Sequence, residues 1–183
     1  MAGSERLRLF CALRLPAGTI RELVAWQEGA LVRGRRVPPE NLHVTLAFLG
    51  SRPASEVPRI TEALRASAAG AGGMRLAVRR YSETRGVGML ELADEGGCAA
   101  ALAGRLHRSL EELGVYEREA RPWLPHVTVV RFRKPPKLQP DVSVLGEIVP
   151  SDAAVFISRL RPGGAVYEAP EAVPLTGTQL GGG

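Results

Sequence analysis

Several things are scarce in this 183-residue chain, and each scarcity narrows what it can be. Two cysteines, Cys11 and Cys98, are too few for a disulfide framework and lack the spacing of a thiolate metal site. Each lies among apolar or small residues, where a thiol behaves as a small hydrophobe. No uninterrupted apolar run reaches the roughly 18 residues that a membrane helix needs. Met1 to Arg6 is short and polar, and leads into an alternating segment instead of the continuous apolar block of a signal peptide. Together these features read as cytoplasmic. The P-loop and dinucleotide fingerprints are missing as well. Only 2 of the 24 basic residues are lysine (Lys134 and Lys137), and there are only three histidines.

What remains is an ordinary globular composition, 45% hydrophobic and 23% charged. The length suffices for one sizeable core or for two small lobes around a shared cleft. A net charge of +5 favours an anionic partner, and 22 of the basic residues are arginines, whose planar fork suits phosphate. A base-composition bias that raises Arg, Ala and Gly together would produce the same excess, so charge alone does not establish nucleic-acid binding.

Period-two alternation from Leu7 to Leu15 predicts a strand buried on both faces, ended by Pro16. Helical spacing follows over Thr19–Val32, then a basic loop from Arg33 to Pro39. Leu42–Leu49 reads as a strand closed by Gly50, and Ser55–Ser67 as a helix. Met74–Tyr81 and Val87–Leu92 read as two strands joined near Gly86, and Cys98–Leu113 as a helix stopped by Gly114. Further strands are expected at Val127–Phe132, Val144–Val149, Ala153–Leu160 and Ala165–Ala169. Each half pairs a helix with a later strand carrying His-Val-Thr, a faint internal duplication. The expectation is a single α+β domain over residues 1–178, with 179–183 a disordered tail.

The chemistry lies in the repeated tripeptide, His43-Val44-Thr45 and His126-Val127-Thr128. Residues i and i+2 of a strand share a face, so each motif aims an imidazole and a hydroxyl the same way. If the strands lie side by side, four polar groups meet in one cleft. Opening a cyclic phosphate needs a base for the attacking water and an acid for the departing oxygen, and histidine serves either role near neutral pH. Threonine hydroxyls can donate to phosphate oxygens that gain charge in the transition state. Arg131 is the natural cation, but strict alternation turns it to the Val127/Val129 face. It reaches a phosphate only if the strand bulges or ends near Val130, with Arg133 as the fallback. One His-x-Thr alone is more simply a half-buried strand feature; two in similar settings favour a shared site. His107 lies on a helix with no threonine two residues on, and reads as solvated or structural. No cluster of His, Cys, Asp or Glu at zinc-ligand spacing surrounds His43 or His126.

On these residues the chain resembles the 2H phosphoesterase superfamily, in its RNA 2′,3′-cyclic phosphodiesterase and 2′-5′ RNA ligase (LigT-like) branch. The resemblance begins at Arg8-Leu9-Phe10-Cys11-Ala12-Leu13-Arg14-Leu15-Pro16. It is strongest in Val37-Pro38-Pro39-Glu40-Asn41-Leu42-His43-Val44-Thr45-Leu46-Ala47-Phe48-Leu49-Gly50 and in Pro125-His126-Val127-Thr128-Val129-Val130-Arg131. The stretch from Ser158 to Glu168 resembles the family's closing segment, whereas residues 51 to 120 match only in general layout.

The resemblance implies a bilobal fold, two pseudo-twofold-related lobes of antiparallel sheet with flanking helices around a central cleft. It implies that His43 donates a proton to the leaving 3′-oxygen and that His126 accepts one from water. Thr45, Thr128 and Arg131 would bind phosphate, with no cofactor and no metal. The partner would be RNA with a 2′,3′-cyclic phosphate end, or a cyclic nucleotide, and the product a 2′-phosphate. With a 5′-hydroxyl RNA end replacing water, the same pair would join RNA ends through a 2′-5′ bond without ATP. Strand geometry by itself leaves the donor and acceptor interchangeable.

The segment before His43 has Arg36 where the family often carries an aromatic residue. Phe48, Tyr81 and Tyr167 are read as core residues first and as alternative base-stacking groups second. The arginines of the 33–36 loop, with Arg133, Lys134 and Lys137, could track an RNA backbone or form solvated loops. A single-chain cleft requires no second subunit, so a monomer is expected. The competing readings are a non-catalytic RNA- or nucleotide-binding module, and a phosphodiesterase of a small cyclic nucleotide or 2′-5′ oligonucleotide.

Overall fold

The computed structural model describes residues 5–177. The tail expected at 179–183 lies outside the described residues. Strand β1 (Arg6–Arg14) is buried on both faces, as its composition anticipates. Leu7, Leu9, Cys11 and Leu13 enter the main core, while Phe10 and Ala12 join Ala154 and Phe156 on the opposite side. Pro16 then serves as the N-cap of α1 (Ala17–Ala30), which starts two residues earlier than the apolar spacing suggests.

The expected basic loop contains a two-residue strand, β2 (Arg35–Arg36), and a 3-10 turn over Pro39–Asn41. Strand β3 (His43–Pro53) runs past the glycine expected to end it. Gly50 adopts φ 68° beside an irregularity in the pairing of β1 with β3, so it accommodates the distortion instead of closing the strand. Next come α2 (Val57–Ala68), the two-residue β4 (Ala69–Gly70), β5 (Leu76–Glu83), β6 (Val87–Ala93) and α3 (Cys98–Glu112). Gly114 follows α3 at φ 68°, the left-handed conformation anticipated for it.

Strand β7 (His126–Arg131) carries the second motif. Of the strand expected at 144–149 only β8 (Glu147–Ile148) forms. The strands expected at 153–160 and 165–169 form as β9 (Asp152–Arg161) and β10 (Gly164–Glu168), which pair antiparallel. The short β11 (Ala172–Pro174) and β12 (Thr176–Gly177) have no counterpart in the sequence reading.

Most strands form one sheet in the order β10-β9-β1-β3-β7-β6-β5-β8, antiparallel at each pairing. β11 extends it beside β9 and β2 beside β7, while β12 pairs with β4 separately. Chain order shows the duplication: β1–α1–β3 recurs as β6–α3–β7. The two motif strands are neighbours at the centre, paired at a single position, Val44 with Val127. Leu23 of α1, Ile60 and Leu64 of α2, and Leu102, Leu106 and Leu110 of α3 share one core with Val44, Leu46, Val127 and Val129. The motif residues between these face the other side of the sheet. Among the described residues no helix is long and apolar enough to cross a membrane.

Candidate active site

Both histidines are held by the same local device. Prolines precede each motif, Pro38-Pro39 before the first and Pro125 before the second, and fix the chain's approach to the strand. The carbonyl two residues upstream then faces the ring. His43 Nδ1 lies 2.8 Å from the Asn41 carbonyl, and His126 Nδ1 lies 3.0 Å from the Leu124 carbonyl. A carbonyl only accepts, so each Nδ1 carries the hydrogen and each Nε2 is left to exchange protons elsewhere. His43 Nε2 is 3.0 Å from Thr45 Oγ1, consistent with strand alternation placing both on one face.

His43, Thr45, Thr128 and Arg131 line a cleft of about 680 Å³, within the range of pockets that hold small ligands. His126 does not itself line that cavity, but it is close enough that its charge, with that of Arg131, disfavours a charged His43. The structure thus brings together the groups expected from the sequence. Arg133 is exposed and stands outside the cleft lining.

Arg131 reaches the cleft through a bulge. Between β6 and β7, Gly88 pairs with Val130 and Met89 with Thr128, so Val129 has no opposite number. Val129 and Val130 both turn inward and are fully buried, and Arg131 returns to the face of His126 and Thr128. Strict alternation, which turns Arg131 away, fails at this step. The bulge needs space: a Cβ on Gly88 would stand 2.6 Å from Val130 Cγ1 and 2.2 Å from Tyr81 Oη. The first motif has the same irregularity at Leu46, and it turns Phe48 to the cleft face, 51% exposed. The core reading of Phe48 is therefore corrected. The Arg8 guanidinium lies 4.9 Å from the centre of its ring.

The surroundings of the two histidines differ. The His43 ring packs against Phe10, Tyr167 and Phe156 at centroid separations of 4.9, 5.6 and 6.0 Å. Removal from water pushes its pKa down to about 4, against the opposing pull of the Asn41 carbonyl. In the free protein His43 is therefore neutral at pH 7. Tyr167 is half-buried in this aromatic wall, whereas Tyr81 packs on the core and donates to Glu83 at 3.0 Å.

Phe10 and Phe156 could not be singled out from the sequence, because they occupy ordinary strand positions; only the pairing of β1 with β3 and with β9 sets them beside His43. Trp123, whose indole donates to the Thr45 carbonyl at 3.1 Å, was equally hidden. Of the cysteines, burial pushes the Cys11 thiol up to about 12, and both are unbridged. His107 is buried, which settles its alternatives in favour of structure. No group of three or more His, Cys, Asp or Glu side chains converges among the described residues.

A family model described as the 2′-5′ RNA ligase superfamily matches residues 14–161. The chain belongs to that superfamily. A Thermus thermophilus protein named RNA 2′,3′-cyclic phosphodiesterase is 31% identical, over 93% of this chain and 91% of its own length. A solved structure from Thermus thermophilus superposes with a TM-score of 0.77 at 32% identity, covering 94% of this chain and all of that one. E. coli LigT, crystallised with NADP+, gives 0.76 at 25% identity, over 94% of this chain and 99% of its own. The resemblance to LigT-like 2H phosphoesterases holds in fold as well as in sequence, and a general phosphoesterase or ligase activity follows from it.

Proposed function

We propose that this chain hydrolyses RNA 2′,3′-cyclic phosphate ends to 2′-phosphates by metal-independent catalysis between His43 and His126. One observation carries the reading: of two histidines in the same backbone setting, His43 lines a cleft that also holds Thr45, Thr128 and Arg131, and His126 is near enough to act on His43 electrostatically. His126 Nε2 takes a proton from water as its oxygen attacks phosphorus. The bond from phosphorus to the 3′-oxygen breaks, and His43 Nε2 returns a proton to that oxygen. Thr45 and Thr128 donate to the non-bridging oxygens, and the Arg131 fork balances the charge that accumulates there.

The substrate follows the name of the Thermus relative; the 2′-phosphate product and the order of donor and acceptor follow the family resemblance. Replacing water by the 5′-hydroxyl of a second RNA would open the cyclic phosphate by the same step, with the P–O3′ bond breaking, and leave a 2′-5′ linkage. The exposed Phe48 face offers a platform for the terminal base, and Arg35 and Arg36 line the same cleft beside the path of the RNA backbone. We read the two lobes as one domain and the protein as a cytoplasmic monomer, since one chain supplies the whole cleft.

The test is phosphorus NMR of a 2′,3′-cyclic nucleotide incubated with the protein in excess EDTA. The expected product is the 2′-phosphate. His43→Ala and His126→Ala should each lose activity by about a thousandfold, in the range for a positioned acid or base. Full activity in both variants refutes the mechanism, and nucleotide binding without turnover favours a binding module.

A further inference from the structure

Among the described residues four polar side chains are buried: Gln27, Thr61, Ser67 and His107. Thr61 and Ser67 bond to carbonyls of their own helix, Val57 and Ala63. Gln27 and His107 instead reach across to strands, and both end on the same feature. His107 Nε2 is 2.8 Å from the Leu46 carbonyl. Gln27 Nε2 is 2.8 Å from the Val129 carbonyl and 3.0 Å from that of Val37. Leu46 and Val129 are the equivalent bulge residues, each following the threonine of its His-Val-Thr motif.

We propose that Gln27 and His107 are positioning residues of the cleft, each fixing the bulge that turns the sixth motif residue, Arg131 or Phe48, towards the phosphate site. A bulge interrupts the strand ladder, and buried carbonyls around it need donors from elsewhere. A strand free to regain regular alternation would turn Phe48 and Arg131 towards the core. The two side chains oppose that slip at the residue where it would begin.

Their origin is crossed. Gln27 belongs to α1 of the first β–α–β unit and holds β7 of the second; His107 belongs to α3 of the second and holds β3 of the first. Backbone pairing between β3 and β7 is confined to Val44 and Val127, so these bonds also fix the half-sites relative to each other. Gln27 adds a tie to Val37, on the segment leading to His43, and Val37 N itself donates to the Val129 carbonyl at 2.9 Å.

The inference rests on the phosphate role given to Arg131 and the base role given to Phe48. Its test is a double-mutant cycle read in sulfate affinity and kcat/KM. Gln27→Met keeps the volume and removes both donors. It should weaken sulfate binding roughly tenfold in the parent and leave it unchanged in an Arg131→Ala background, the signature of coupled residues. Thr61→Val, which also removes a buried hydrogen bond, should lower the melting temperature without changing sulfate affinity. His107→Leu should raise KM for a cyclic nucleotide but not for a base-free cyclic phosphate, and His107→Gln, which retains an N–H donor, should restore it. Equal losses from Gln27→Met in both backgrounds, or none in the parent, overturn the inference alone. An Arg131→Ala protein with full sulfate affinity overturns the role given to Arg131, and the Gln27 inference with it.

Discussion

Anion binding should recharge His43. With a pKa of about 4 in the free protein, its imidazolium would make up on the order of one part in a thousand at pH 7. Charging it inside the aromatic wall costs roughly 3 kcal/mol more than charging a solvated histidine. An anionic oxygen about 4 Å away, at an effective dielectric constant near 20, contributes about 4 kcal/mol in the opposite direction. A bound anion is therefore sufficient to return His43 to its ordinary range or above, where it can act as the proton donor. The sign is definite: between pH 4 and 6.5 the anion-bound protein holds more protons than the free protein, so binding takes up a proton and strengthens as pH falls.

Sulfate is the suitable probe because it does not titrate in this range. Calorimetry at pH 6 in two buffers of different ionisation heat should show uptake approaching one proton, abolished in His43→Gln. The ring Cε1–H resonance of His43 should titrate near pH 4 without sulfate and well above it with sulfate. A free-protein titration near 6.5, or one that sulfate does not move, would refute the reasoning. If the proton settles on His126 instead, donor and acceptor exchange.

Three further outcomes are expected. Arg131→Ala should lower kcat/KM by about a hundredfold, and Arg131→Lys should recover only part, since a point charge lacks the fork; steady-state hydrolysis of a cyclic nucleotide measures both. Phe48→Ala should raise KM by about 1–3 kcal/mol of lost stacking while kcat and sulfate affinity are retained. Gly88→Ala should destabilise the protein by about 1–3 kcal/mol through crowding against Val130 and Tyr81. Gly96→Ala, with open space at its Cβ, should melt like the parent.

The strand order could not be read from the chain, yet the half-sites could, because their determinants are local. A histidine and threonine two apart on a strand share a face wherever that strand lies, and a proline-led approach announces where it starts. Position 131 is different. Its side depends on one unpaired residue, Val129, and on Gly88, on a neighbouring strand far upstream, yielding room for Val130. Phe48 fails for the same reason, through Leu46. The aromatic wall of His43 is a still longer-range fact, requiring β9 and β10 to return beside β1. Single-residue strand irregularities and distant returns of the chain leave no periodic trace in sequence.

Two identical histidines in identical surroundings would share a proton evenly, and neither would be committed as acid or base. This fold repeats the hydrogen-bond frame and alters what encloses it. In the β1–β3 register Arg14 stands opposite His43 and forks onto Asp152 at 2.5 and 2.9 Å; in the β6–β7 register Glu91 stands opposite His126 and pairs with Arg80 at 2.7 Å. The same ion pair is thus repeated with its signs exchanged. The sixth motif residue diverges as well, an exposed aromatic ring on one strand and a guanidinium on the other. Around His43 the divergence adds a wall of three aromatic rings. On the proposed mechanism, duplication would give the cleft its two proton-transfer groups, and the unequal surroundings would let them take unequal parts in one reaction.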